Sequence, residues 1–176
     1  DAPRAARKLG LGLVPEDRRA DGIFAQLSVR ENSSIAALEQ FCWMGYVREG
    51  EEKQRVRTLV DRLRVRTPDQ EQEIAKLSGG NQQKALLARW LLKDNLKVLL
   101  VDEPTRGIDV GAKAEIYQLL NDLACDGLAV VLLSSEMPEV LGLCDRIYVM
   151  SEGRIAAEYD RREATPEKLL ASALPR

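Results

Sequence analysis

Apolar and polar positions alternate with two different periods along this chain. In the second half, three short apolar runs stand out: KVLLV at 97–101, LAVVLLS at 128–134 and RIYVMS at 146–151. Each is rich in branched residues and reads as a buried strand. Between them lie QQKALLARWLLK, VGAKAEIYQLLNDLACDG and the short EMPEVLGLC, whose apolar residues recur with the helical period, Gly127 closing the second. Strands alternating with helices predict a parallel sheet covered on both faces. Glu152-Gly153 between RIYVMS and RIAAEYD predicts an antiparallel edge hairpin, and Thr165-Pro166 the cap and first turn of a terminal helix.

The first half is patterned differently. LGLVP at 11–15 is a short apolar run that ends at the polar Glu16-Asp17-Arg18-Arg19. Ser28 followed by Glu31 is a capping box, so a helix is expected from about Val29 to Phe41. Gly45 and Gly50 mark a loop. Val56, Leu59, Val60 and Leu63 then trace an amphipathic helix ending before Pro68. The fold expected is α/β, organised as the end of a first sheet region (1–15), a mostly helical insert (16–76), and an alternating region (77–176).

Composition narrows the function. The chain has 176 residues, 45% of them apolar, which is enough for a core; aromatics at 5% leave that core to aliphatic side chains. Lys plus Arg is 26 against 28 for Asp plus Glu, a net charge of −2 that argues against a nucleic-acid-binding surface. Histidine is absent, which excludes Ser-His-Asp and Cys-His nucleophile pairs and His-ligated zinc. Cys42, Cys125 and Cys144 are too scattered for a disulfide framework or a CxxC site; each is expected to be a small buried hydrophobe in a reducing cytoplasm. No apolar run approaches the ~20 residues of a spanning helix, and the N-terminus carries no signal-peptide stretch.

Three segments carry candidate chemistry. In KVLLVDEPT, Asp102 and Glu103 emerge at the carboxyl end of a strand, the end that faces the ligand crevice in open α/β sheets. Asp102 suits a hard cation such as Mg²⁺ and Glu103 could orient a water; a solvated acidic strand end would have the same sequence. In LSGGNQQ, a serine and two glycines open a helix whose free N–H groups favour phosphate, although a plain glycine turn would also fit. Asp109 follows the acidic pair in DEPTRGID, where an ordinary helix N-cap is the alternative.

Taken in order, LSGGNQQK, a helix, a strand and VLLVDEPTRGID resemble the ATP-binding-cassette (ABC) ATPases. With LGLVPEDRRADGIFAQLSVREN and SSEMPEVLGLCDRIYVMSEGRI, nearly the whole chain is similar to the second cassette of ATPase subunits importing ribose and related monosaccharides. That resemblance implies ATP and Mg²⁺ as ligands. Ser78, Gly79, Gly80 and Gln82 would form the signature loop, which caps the γ-phosphate of a nucleotide held by the opposite cassette. Asp102 would be the Walker B aspartate holding Mg²⁺ through water, Glu103 the catalytic glutamate, and Asp109 the D-loop residue at the dimer interface. Implied partners are an N-terminal cassette of the same polypeptide or a second cassette, a membrane permease docked on the helical insert with Val14 to Phe41 including the contact surface, and indirectly a sugar-binding protein, with no nucleic acid. The implied location is the cytoplasmic face of the cell membrane.

Three departures qualify the resemblance. No G-x-x-x-x-G-K-[ST] occurs, and the chain begins abruptly, so the phosphate loop is expected upstream of Asp1 in a longer polypeptide and the isolated chain is expected to be inactive. Glu16 stands where the family has its Q-loop glutamine, and beside phosphates its charge would disfavour nucleotide. Ser135 stands at the switch-histidine position and cannot carry a positive charge. The expectation is an asymmetric ATPase whose LSGGN serves a competent site on the partner cassette, while the site using Asp102 and Glu103 is slow. A soluble ribosome- or DNA-associated ABC ATPase and a non-catalytic docking module remain alternatives.

Overall fold

The computed structural model describes residues 2–175. They form two compact units, one running to Leu133 and one beginning at Ser134. In the first, helix α1 (Ala2–Leu9) leads into β1 (Leu11–Val14). Strand β1 pairs in parallel with β4 (Val98–Asp102), which pairs in parallel with β5 (Ala129–Leu133), in the order β1-β4-β5. Gly12 and Val14 share one face of this sheet with Leu99, Val101, Val130 and Leu132. Onto Val14, Leu99 and Val101 pack Leu86 and Leu87 of α5 (Gly79–Leu91) and Ile116 and Leu120 of α6 (Val110–Cys125). Gly12 is required here: a Cβ would lie 2.7 Å from the Trp90 ring, whose Nε1 donates to the Leu13 carbonyl at 2.8 Å.

The other face departs from expectation. Leu13, Val131 and Leu133 are 52%, 46% and 43% exposed, so among the described residues only one face is fully covered. The apolar stripes of α5 and α6 converge on the same side, and continuous apolar runs in the strands cannot reveal which side that is. Asp102, paired in register with Leu133, lies on the open face.

The helical insert forms a second core in which Val29, Phe41, Val56, Val60 and Ile74 meet Ala85, Ala88 and Leu92 on the far side of α5. The Ser28–Glu31 capping box is present, with the Glu31 N–H donating to Ser28 Oγ at 3.1 Å and the Ser28 N–H to Glu31 Oε2 at 2.8 Å. The helix it starts is shorter than the sequence suggested. It stops as α2 (Val29–Ser34), and α3 (Leu38–Phe41) follows separately. At its end the buried Ser34 hydroxyl donates to Glu52 at 2.5 Å, and Glu52 also receives Arg30 at 2.9 Å. The expected loop instead forms a small hairpin of β2 (Cys42–Trp43) and β3 (Tyr46–Val47), turning through Met44 and Gly45, both at positive φ. Helix α4 (Glu49–Arg62) buries Val56 and Val60 as expected.

In the second unit, α7 (Met137–Leu143) precedes β6 (Arg146–Ser151) and β7 (Arg154–Asp160), followed by α8 (Pro166–Ala173), with Thr165 as its N-cap. The β6–β7 hairpin turns at Glu152 (φ 48°) and Gly153 (φ 76°), the left-handed pair that suits hairpin twist. RIYVMS therefore pairs with its hairpin partner and not, among the described residues, with the parallel sheet. The cysteines also differ from expectation. Cys42 and Cys125 are exposed and Cys144 is half-buried, because the first sits on the small hairpin and the second on the last turn of α6. Burial and Asp145 push the Cys144 thiol pKa up, which keeps it protonated and unreactive. Among the described residues no helix is long and apolar enough to cross a membrane.

Candidate functional site

The central strand β4 ends at Asp102, half-buried, and the chain then turns sharply. Glu103 takes a left-handed conformation (φ 43°) while its N–H donates to the Leu133 carbonyl at 2.9 Å. A non-glycine residue in this region is uncommon, so the surrounding bonds hold it there. The Arg106 N–H donates to the Glu103 carbonyl and the Ile108 N–H to that of Thr105, both at 3.1 Å, and Thr105 is fully buried. Asp109 then caps α6, with Oδ1 accepting from the Ala112 N–H at 2.9 Å. The helix-cap reading of Asp109 is thus correct, and its exposure leaves the other carboxylate oxygen open to solvent.

Ser78 is the N-cap residue of α5. Its exposed hydroxyl accepts from Asn81 Nδ2 at 2.9 Å, outside the helix backbone. Gly79 and Gly80 open the helix, one residue-pair earlier than the start near Asn81 that the sequence suggested. The two glycines serve different ends. A Cβ on Gly80 would lie 2.8 Å from the Ala112 Cβ, so Gly80 lets the starts of α5 and α6 touch. A Cβ on Gly79 would meet only the end of the Arg18 side chain, at 3.1 Å, and the Gly107 carbonyl, at 3.4 Å. Gln82 points inward: its buried carboxamide donates to the carbonyls of Ile74 (3.3 Å) and Leu77 (3.1 Å), so it steadies the loop before Ser78.

Glu16 is exposed and forms an ion pair with Arg106. Two residues on, Arg18 Nη1 donates to the Arg106 carbonyl at 2.7 Å. Asp17 caps the turn Arg18–Gly22 by accepting from the N–H groups of Arg19 and Ala20, and these bonds, foremost that of Ala20, hold its carboxyl below the usual range. Ser135 belongs to the second unit, exposed between β5 and α7. Beside it Ser134 Oγ donates to the buried Glu139 at 2.6 Å and accepts from the Glu136 N–H at 3.0 Å.

The first unit therefore brings together Glu16, Glu103, Asp109 and the signature loop through Arg18, Arg106 and Ala112. Sequence reading missed Arg18 and Arg106. Their one visible signal is the charge pattern of E-x-R in PEDRR and the arginine in PTRG, which periodicity does not rank. The donor set at Asp102 fits Mg²⁺, which takes one or two carboxylates and completes its shell with water and phosphate oxygens. Among the described residues no cluster of three or more acidic or cysteine ligands would make a closed metal site.

A parallel α/β sheet whose central strand ends in an Asp-Glu pair, with a glycine-opened helix packed on the turn that follows, is the architecture of an ATP-binding cassette. The family model for ABC transporters matches residues 2–106, and this chain belongs to that family. It is 53% identical over 175 residues to the arabinose import ATP-binding protein AraG of Rhizobium meliloti (strain 1021), and 52% identical over 174 residues to the ribose import ATP-binding protein RbsA of Rhodopirellula baltica. Each match covers 99% of this chain and 34% of the relative, so the chain spans about a third of their length. The fold is that of the ATP-binding cassette MJ0796 in its dimeric ADP- and Pi-bound state (TM-score 0.75, 23% identity, 93% of this chain and 69% of that one). It is similar also to cbiO1 of Clostridium perfringens (TM-score 0.73, 26% identity, 93% and 62%).

Proposed function

We propose that this chain is the C-terminal part of an ATP-binding subunit of a monosaccharide importer, ribose being the first sugar to test. In that subunit it couples ATP binding and hydrolysis to uptake at the cytoplasmic face of the membrane. Its signature residues Ser78 and Gly79, with Gly80 setting the loop against α6, act in trans on a nucleotide held by a partner cassette. Gln82 serves that loop from behind through Ile74 and Leu77. Asp102 holds Mg²⁺, which when bound neutralises phosphate charge; Glu103 orients the attacking water; Asp109 lies at the interface between cassettes. The helical insert meets the permease, with Val14 to Phe41 including the contact surface. The relatives named as arabinose and ribose import proteins support the sugar class.

One observation carries the reading most strongly. The end of the turn 103–109 lies against the start of α5, Gly107 beside Gly79 and Ile108 beside Gly80, so the segment that follows the chain's acidic pair and the loop it offers to a partner are packed together. The Glu16–Arg106 pair bears on the asymmetry: the carboxylate at the Q-loop position is neutralised by a neighbour instead of standing bare beside phosphates. Serine at the switch position still supplies no cation, which favours a slow site here and a competent one on the partner.

ATP turnover of the complete subunit, assembled with its permease, tests the assignment. Ser78→Ala is expected to lower turnover ~10²-fold, the cost of one lost donor to a reacting oxyanion, and Glu103→Gln to lower it only severalfold. Loss on Glu103→Gln with turnover intact in Ser78→Ala would reverse the asymmetry.

A further inference from the structure

Arg18 occupies a position that neither its neighbours nor the site roles above explain. It lies just past β1 and is half-buried, and burial pushes its pKa down. A long cation is not kept from water without a reason. Its Nη1 donates to the Arg106 carbonyl at 2.7 Å. Its Nη2 lies 3.8 Å from where a Cβ on Gly107 would be, and 3.1 Å from the corresponding point on Gly79. One guanidinium thus bonds the turn after Glu103 and lies beside the first residue of the signature helix. The Arg106 side chain is gripped separately by Glu16, two residues before Arg18. The Arg106 N–H in turn donates to the carbonyl of Glu103, whose backbone is held left-handed.

Resting on the proposed function, we infer that Arg18, with the Glu16–Arg106 ion pair, is a positioning residue that clamps the Glu103 turn and the signature loop in a fixed relation. Glu16 and Arg18 fasten the same residue by side chain and by backbone. The two fastenings differ in kind: the ion pair needs opposite charges at 16 and 106, whereas the Arg18 bond goes to a carbonyl and needs only a donor that reaches. Any shift of segment 15–22 must then move the acidic turn and Gly79 together, linking the chain's own site to the one it serves in trans. Displacement of a catalytic group by about 1 Å can cost up to ~10²-fold in rate, so a clamp of this kind acts on turnover more than on substrate affinity.

The test has two arms, both on the full-length protein that carries this chain. The first is amide hydrogen exchange without nucleotide, which does not depend on the proposed activity. Arg18→Ala is expected to speed exchange at 103–109 and 79–82 while the amides of α4 (Glu49–Arg62) stay as in the unsubstituted protein. Unchanged exchange at 103–109, or acceleration spread equally over α4, overturns the inference. The second arm is ATP turnover with the permease. Arg18→Ala and Arg106→Glu are each expected to lower kcat ~10-fold with KM for MgATP within twofold. The double exchange Glu16→Arg with Arg106→Glu is expected to recover most of kcat, because it restores the opposite charges. No recovery, or a change confined to KM, overturns the pairing. If the unsubstituted protein shows no permease-coupled turnover, the proposed function fails, and the exchange arm still decides the clamp.

Discussion

At the scale of single residues, the two signature glycines show how a motif splits into chemistry and packing. Gly79 has a flexible arginine end beside it, whereas Gly80 faces the Cβ of Ala112, and neither α5 nor α6 can give way there without moving a helix. Gly80→Ala is therefore expected to destabilise the fold by about 1–2 kcal/mol, overpacking outweighing the better helix propensity of alanine. Gly79→Ala should cost less, since only the end of the Arg18 side chain, and no helix, has to give by a few tenths of an ångström. Urea unfolding of the two variants checks the difference; a stabilised Gly80→Ala would mean that the helices are not held at that spacing. Arg89 shows the other side of residue-level reading. On the sequence it is one charge in an amphipathic helix, yet it is buried and donates to the carbonyls of Gly22 and Asn32, both at 2.7 Å, and to Asn32 Oδ1 at 3.1 Å. Burial pushes its pKa down to about 10, which leaves it a cation at neutral pH. Periodicity has no term for a cation that ties α5 to the insert.

Elements were legible where a local rule decides them. The capping box, the Thr165-Pro166 start of α8 and the Glu152-Gly153 turn each depend on two or three neighbouring residues, and each formed as the sequence implied. Where a tertiary partner is involved, the sequence was silent: Ser34 at the end of α2 bonds Glu52 on α4, and the 42–47 hairpin turns on a methionine in a left-handed conformation. The capping box also makes a pH prediction. The Ser28 backbone N–H, then its hydroxyl, hold the Glu31 carboxyl below its free value of 4.5. A folded-state value below the unfolded one means that its contribution is present above the unfolded value and fades as pH falls. The urea midpoint should therefore drop between about pH 5 and pH 3 by more in the native sequence than in Glu31→Gln, which cannot titrate. Parallel pH profiles would mean that the cap is indifferent to the charge of residue 31.

For the whole molecule, the motifs in order named the family, and the proposed function divides them between two nucleotide sites. Asp102 opens onto the sheet face where Leu13, Val131 and Leu133 are about half exposed. Two concavities among the described residues lie elsewhere. One of about 220 Å³ is lined by Arg62, Leu91, Lys93, Leu96, Leu123, Asp126 and Leu128; another, of about 400 Å³, by Arg4, Arg7, Lys8, Glu39, Lys93 and Asn95. Neither includes Ser78, Gly79, Asp102, Glu103 or Asp109, and on the proposed function the chain supplies part of each of two sites. Calorimetric titration of residues 1–176 with MgATP should accordingly show no measurable binding, and adding the partner cassette should restore it in a Ser78-dependent way. Micromolar binding to these residues alone, roughly −8 kcal/mol, would require a phosphate cradle within them. The cationic cleft between α1 and Lys93 would be the first place to look, and charge removal at Arg4 and Lys8 would then abolish the signal.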